Sequence, residues 1–414
     1  MAKNSQKLTF VGAQGDELAA RLDLPTGKPR AYALFAHCFT CSKDIFAAAR
    51  IADELAAHGF AVLRFDFTGL GMSEGEFANT NFSSNVEDLI KAADYMREHH
   101  GAPEILIGHS LGGAAVLAAA GDIAEVKAVA TIGAPADAAH VVANFGAKLD
   151  EIEEEGVAEV SLAGRSFTIK KQFVDDLKAQ TVQARIAAMK KPLLVFHAPR
   201  DAVVGIENAS AIFMAAKHPK SFISLDDADH LLSRRSDAIY VADILSAWAA
   251  RFIADVQQEH VLAFPGADGE VAVAETRAGK FQQEVVSGNH RMIADEPASY
   301  GGDDTGPSPY DYLSIALGSC TTMTLRMYAD HKKLPLERVS VRVTHGKVHA
   351  KDCADCGEGR EGRIDRFERH LTIEGDLDGA QRERLKEIAD RCPVHKTLEK
   401  SSVVVTTLAP EAAA

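Results

Sequence analysis

Up to about residue 253, the apolar runs AYALFAH, AVLRFDF, EILIGHS, VKAVATIGAP and PLLVFHA alternate with alanine-rich stretches of helical composition. Each run is continuous, the pattern of a strand buried on both faces, and such strands are covered by helices that return the chain between parallel neighbours. The front of the chain is therefore expected to form a mostly parallel sheet with helices on both sides. Between APADAAH and KKPLLVF, about residues 136–190, lies a longer insertion whose acid run LDEIEEEG predicts a small helical cap with a solvated acidic face.

After the helix around Trp248 the pattern changes. EHVLAFPGADGE has the glycine and proline punctuation of a linker, and beyond it EVAVAETRAGKFQQEVV and LERVSVRVTHGKVHA alternate as half-exposed antiparallel strands. Two helices are expected with them, around 309–331 and 379–390. A chain of 414 residues exceeds what one core usually supports, so the division expected is 1–255, a linker over 256–269, and an α+β unit over 270–414.

The formal net charge of −14, with basic residues dispersed, argues against nucleic acid as a partner. No run of about 18 apolar residues suits a bilayer and no apolar stretch follows the start MAKNSQKLTF, so a cytoplasmic protein with no membrane partner is expected. Six cysteines, at 38, 41, 320, 353, 356 and 392, are too sparse for a disulfide framework. Chemistry or metal binding is the alternative use of such thiols.

EILIGHSLGGAAVLAAA places Gly108, Ser110 and Gly112 between an apolar strand and a helix. So tight a turn needs glycines beside the serine, whose oxygen it lifts above the sheet at a helix N-terminus. A serine hydroxyl needs a base, and the base needs an acid to hold its tautomer. Asp201 in LLVFHAPRDAVV and His230 in ISLDDADHLLS each follow a strand, completing the order Ser, Asp, His.

This arrangement resembles the α/β-hydrolase family over roughly residues 8–253, as does LRFDFTGLGMSEG with Asp66, Gly69, Gly71 and Ser73. The resemblance implies an esterase for small carboxylic esters, with Ser110, Asp201 and His230 catalytic and the backbone N–H groups of Leu111 and Phe39 forming the oxyanion hole. The same machinery also serves acyl transferases and peptidases, which stay open as alternatives. Where relatives have His-Gly this chain has His37-Cys38, and Cys38 with Cys41 reads as two small buried side chains, with a redox pair or half a zinc site as the alternative.

In GPSPYDYLSIALGSCTTMTLRMYADHKK, Ser308 and Asp311 form a capping box around Pro309 and open a long helix. Its face Leu313, Leu317, Cys320, Thr324 predicts a buried Cys320. Cys392 stands at the entry to the helical turn PVHKTLEK, near Arg391, His395 and Lys396, and on local electrostatics it is the more acidic thiol. LGSC in a long helix with a distant RCPVH resembles the OsmC and organic-hydroperoxide-resistance family over residues 270–410.

That resemblance implies a thiol-dependent hydroperoxide reductase and reverses the electrostatic ranking, with Cys320 attacking the peroxide and Cys392 closing a disulfide. It also implies thiolate support from Arg291 or Arg277 and from Asp311, an external thiol reductant, and a homodimer made through this unit. The alternative is a dimerising or ligand-binding module with inert thiols. No cofactor and no metal are expected; His345, His349, Cys353 and Cys356 have ligand-like spacing but read as exposed hairpin residues.

Overall fold

The computed structural model describes residues 5–37, 42–137, 146, 148–162, 165–179, 182–253, 262–263, 269–349, 362–400 and 402–408. Two compact units divide the chain, residues 1–257 and 258–414.

The first unit is built on an eight-stranded sheet of order β1-β2-β4-β3-β5-β6-β9-β10. Its strands are β1 (Ser5–Val11), β2 (Glu17–Asp23), β3 (Ala31–Ala36), β4 (Phe60–Phe65), β5 (Pro103–His109), β6 (Ala128–Ile132), β9 (Leu193–His197) and β10 (Lys220–Ser224). The β1-β2 and β2-β4 pairs are antiparallel and the remaining pairs parallel. Because side chains alternate along a strand, the continuous apolar runs feed two cores at once. Leu34, Leu106, Val129 and Leu193 pack with α2 (Phe82–His99), α3 (Leu111–Ala119) and α7 (Glu207–Ala215), while Phe35, Ile107, Ala130 and Leu194 pack with α1 (Phe46–Ala57) and α8 (Arg235–Ala249). Each such Leu or Phe contributes roughly 1.5–3 kcal/mol on burial, which is what fixes the strand ends that carry the site.

The insertion is not purely helical. Between α4 (Lys148–Glu155) and the helices α5 (Lys171–Ala179) and α6 (Val182–Met189) lies an antiparallel hairpin, β7 (Val157–Leu162) with β8 (Arg165–Lys170). Ala158, Val160 and Ile169 bury one face of it, an alternation hidden in sequence by the short polar run between. Asp176 of α5 accepts from Ser83 N (2.8 Å) and Oγ (2.6 Å) at the start of α2, and Phe77 meets Phe167 edge to face, so the insertion is fastened to the body.

In the second unit β11 (Val271–Glu275), β12 (Gln283–Ser287) and β13 (His290–Ala294) form an antiparallel sheet. The long α9 (Pro309–Lys332) follows, then the antiparallel pair β14 (Leu336–His349) and β15 (Arg363–Gly375), then α10 (Gly379–Ala389) and α11 (Pro393–Glu399). Its core is small, gathered around Leu325, Leu336, Leu385 and Ile388. Among the described residues no helix is long and apolar enough to cross a membrane.

Candidate functional site

Ser110 sits between β5 and α3 with φ +56° and ψ −127°, a conformation an L-residue adopts only when its surroundings impose it. The glycines on either side permit that. A Cβ on Gly108 would fall 2.4 Å from the Gly112 carbonyl oxygen, and one on Gly112 would fall 2.4 Å from the carbonyl oxygens of Ala36 and His37. The close strand-helix approach forces the serine out beyond the C-terminal end of the interior strand β5.

Nε2 of His230 lies 3.0 Å from Ser110 Oγ, and its Nδ1 lies 2.7 Å from Asp201 Oδ2. The other oxygen of Asp201 accepts from the N–H groups of Val203 (2.8 Å) and Val204 (3.0 Å). Burial alone would raise the Asp201 carboxyl, but the His230 ring and these two amides outweigh it and hold the group below the ordinary carboxylate range. The three residues therefore form one continuous line of hydrogen bonds, with an ionised acid fixing the imidazole so that Nε2 faces the hydroxyl as an acceptor. Leu111, the first residue of α3, carries one of the amides that a helix start leaves without an intrahelical acceptor. Phe39, Cys38 and Cys41 lie outside the described residues.

A buried ionic cluster that sequence reading missed lies beside this site. The Asp66 carboxylate accepts from Lys43 N (2.5 Å), Lys43 Nζ (2.8 Å) and Met72 N (3.0 Å), and His37 Nε2 stands 3.5 Å away. Arg64, buried in turn, pairs with Asp23 through Nε at 2.8 Å and donates to the Lys43 carbonyl. Burial pushes Asp66 up, but His37 and Lys43 prevail and keep it well below the usual carboxylate range. Two buried cations thus balance two buried carboxylates, the condition under which such a cluster is tolerated. Nothing in the local sequence marks Lys43 as buried; its partner is 23 residues away.

In the second unit both described thiols, Cys320 and Cys392, are free. The expectation for Cys320 needs correction: the buried face of α9 runs through Leu317, Thr321 and Leu325, and Cys320 is only half-buried. The inward stripe is turned by one residue because Thr321 satisfies its hydroxyl on the Leu317 carbonyl (2.7 Å) and so enters the core. Cys392 is fully buried as the N-cap of α11, where its Sγ accepts from His395 N (3.3 Å) and lies 3.6 Å from Thr321 Oγ1. The second thiol is thus packed on α9 against the residue adjacent to Cys320.

Among the described residues, an arginine that sequence reading did not single out, Arg369, bonds the Thr321 hydroxyl beside Cys392. Arg369 of β15 donates to Thr321 Oγ1 (3.0 Å) and to the Ala389 carbonyl (2.9 Å), and reaches Asp390 (2.7 Å) and His395 Nδ1 (2.9 Å). Arg291 pairs with Glu284 at 2.6 Å, Arg277 is a positive-φ residue beyond β11, and Asp311 caps α9 by accepting from Ser308 N (2.9 Å) and Oγ (2.7 Å). His345 stacks on Tyr310 and bonds Asp365 (2.9 Å), and His349 ends β14. Cys353 and Cys356 lie outside the described residues, and among the described residues no group of three acidic, histidine or cysteine side chains is arranged to hold a metal.

Comparison with known proteins gives two family matches. Residues 27–154 match the model "Serine aminopeptidase, S33", and residues 301–407 match "OsmC-like protein". The esterase domain of a Rhodothermus marinus protein is 53% identical, with 60% of this chain and 99% of that domain covered and a TM-score of 0.52. The uncharacterized protein YfhR of Salmonella typhimurium is 26% identical over 235 residues, 55% of this chain and 75% of its own length. The mitochondrial palmitoyl-protein thioesterase ABHD10 of Mus musculus is 27% identical over 189 residues, 43% of this chain and 62% of its own length.

Proposed function

We propose, from the premise that the first unit of this chain belongs to the α/β hydrolases and the second is an OsmC-like domain, that it joins a serine carboxylesterase to a thiol-dependent hydroperoxide reductase. The observation that carries the first activity is the His230 ring, bonded at once to Ser110 Oγ (3.0 Å) and Asp201 Oδ2 (2.7 Å). Ser110 Oγ attacks the ester carbonyl while its proton passes to His230 Nε2, and Asp201 stabilises the imidazolium so formed. The developing oxyanion is received by the N–H groups of Leu111 and Phe39, each such donor being worth about 3–4 kcal/mol of barrier. The alcohol leaves with the His230 proton, and water then repeats the sequence to free the acid.

Val203 and Leu231, each next in sequence or nearly so to a relay residue, stay about half exposed. p-Nitrophenyl acetate should be cleaved with a burst of one nitrophenol per chain. Partition of the acyl-enzyme toward added alcohol or amine in preference to water would replace the esterase with an acyltransferase, and cleavage of peptide amides at comparable rates would replace it with a peptidase.

The position of Cys392 against Thr321 of α9, the residue after Cys320 and an acceptor for Arg369, supports the second activity. The Cys320 thiolate attacks the hydroperoxide O–O bond, releasing alcohol and becoming a sulfenic acid. Cys392 displaces water from it to give a disulfide, and an external dithiol returns the two electrons. Thiol-coupled loss of cumene hydroperoxide measures this directly; no loss above the rate of free cysteine would leave the domain as a binding or dimerising module.

A homodimer through the second unit is part of this reading. Met327 is 73% exposed, and the extended segment carrying Val403 (91%) and Leu408 (96%) has no cover in one copy. Light scattering should return about twice the 44.3 kDa chain mass.

A further inference from the structure

Two histidines outside the proton relay stand behind it. His109 is the last residue of β5 and His197 the last residue of β9, and both are buried, at 2% and 0% exposure. Nε2 of His109 lies 2.7 Å from the carbonyl oxygen of His230, and Nε2 of His197 lies 2.7 Å from the carbonyl oxygen of Val204. A carbonyl oxygen can only accept, so in each ring Nε2 carries a proton. Neither Nδ1 has a hydrogen-bond partner among the described residues, so the carbonyl is the one strong tie each ring makes.

Those two carbonyls belong to the parts of the relay with the least regular structure. His230 lies on the connection between β10 and α8, where Asp226 and Leu232 both take positive φ and no strand or helix fixes the chain. Its ring reaches Ser110, and its backbone is held by the residue that precedes Ser110 in the chain. The dipeptide His109-Ser110 thus grips His230 at two points. On the other side Val204 belongs to the turn whose amides orient Asp201, and His197, 3.9 Å from Asp201 Oδ2, ties that turn back to its strand.

We infer that His109 and His197 are positioning residues, strand-end donors that hold the backbone of His230 and of the Asp201 turn so that the relay is assembled before substrate arrives. The inference rests on reading Ser110, His230 and Asp201 as the catalytic relay. Histidine suits the task because its ring carries an N–H donor far enough from the backbone to reach from a strand to a loop. Burial, and after it the neighbouring His230 ring 5.1 Å away, push His109 down to about 4, opposed by its bond to the His230 carbonyl, with Asp201 and His37 the other ionisable groups acting on it. A second imidazolium at that distance would oppose the charge His230 must acquire during turnover.

The test uses the full chain and p-nitrophenyl acetate. His109→Phe keeps a ring without the donor, and His109→Gln offers an amide N–H near the place of Nε2. The Phe variant should lose at least tenfold in kcat with KM within twofold, and the acidic limb of its kcat profile should move; the Gln variant should stay within threefold of wild type. His197→Phe and His197→Gln should follow the same order with a smaller loss. A Phe variant with wild-type kcat and pH profile overturns the inference, as does a Gln variant that loses as much as Phe, since the ring would then be only a packing element. Should the Phe variant not fold, nitrogen-15 histidine spectra of the wild type decide: a neutral His109 with its proton on Nε2 from pH 8 to pH 5 supports the inference, and a charged ring or the other tautomer overturns it. Fluorophosphonate labelling separates the two levels. No label on Ser110 of the wild type removes the catalytic reading itself, whereas labelling of His109→Phe at the wild-type rate removes only the role of His109.

Discussion

The two units place their reactive groups on opposite kinds of support. In the first, Ser110 and Asp201 follow strands sealed on both faces, His230 lies on the connection after β10, and buried polar groups, His109, His197, Lys43 and Asp66, tie the loops to that sheet. In the second, β14 and β15 alternate between half-buried and exposed, the core is a handful of side chains, and Cys392 packs against Thr321, the neighbour of Cys320 on α9, at the corner between α10 and α11. A site on a doubly covered sheet inherits the rigidity of two cores. A site at a helix corner depends on a few polar bonds, here mainly those of Arg369, and on whatever covers the exposed strand and helix faces.

Ser110→Ala is expected to have the largest effect and to test whether the contrast is one of function as well as packing. It should lower ester cleavage by about 10⁴-fold or more, as removal of a relay nucleophile does. Hydroperoxide consumption should stay at the wild-type rate. Loss of both activities together would mean that the two units do not work independently. The reciprocal variant, Cys320→Ser, should reduce thiol-coupled hydroperoxide turnover by about 100-fold or more with p-nitrophenyl acetate cleavage intact, on the general ground that the thiolate is the nucleophile.

The supports should differ in their response to acid. His109 has a folded value near 4 against an ordinary 6.5, so the unfolded chain binds its proton first as pH falls. Stability conferred by the neutral ring is complete above about 6.5 and is lost progressively down to about 4, amounting to as much as about 3 kcal/mol. Urea unfolding of the first unit's transition between pH 7 and pH 4 measures this, and His109→Phe should flatten it. In the second unit, burial raises Asp295, but the Thr305 side chain and the Thr305, Glu296 and Asp303 amides outweigh burial and lower it. Its contribution is present above the ordinary carboxylate value and fades only as pH falls below about 4. Equal slopes for both units above pH 5 would erase the distinction.

The smallest expected effect sharpens the view of the thiol site. Arg369→Met removes donors from Thr321 and from the Ala389 carbonyl and should cost the second unit about 1–3 kcal/mol, with hydroperoxide turnover down about tenfold. Arg291→Met, which breaks a pair with Glu284, should leave turnover unchanged. The opposite ranking would return the supporting role to Arg291 and leave Arg369 a structural tie.

Much of the first site was legible because each of its parts has a local signature. Glycines bracket Ser110, and Asp201 and His230 each follow a strand. The capping box of Ser308 and Asp311 was legible for the same reason, being complete within four residues. Arg369 was not, since an arginine on an alternating strand reads as one more half-exposed position until α10 and α11 fold against it. Lys43 was hidden likewise in a polar turn. For Cys320 the helical stripe was drawn one residue off, because sequence pattern does not reveal that a threonine can bury itself by bonding back to its own helix.

By itself, then, the order of residues determined the buried strands of the first sheet, the long helix α9 with its cap and the sharp elbow at Ser110, all set by steric and hydrophobic rules that act over a few positions. Which groups meet was decided only by the folded chain: His230 over Ser110 across 120 residues, His109 under the His230 carbonyl across 121, Cys392 against Thr321 across 71. Hydrogen bonds between side chains reach about 3 Å and depend on direction, and neither quantity is encoded until packing has brought distant backbone segments to fixed positions.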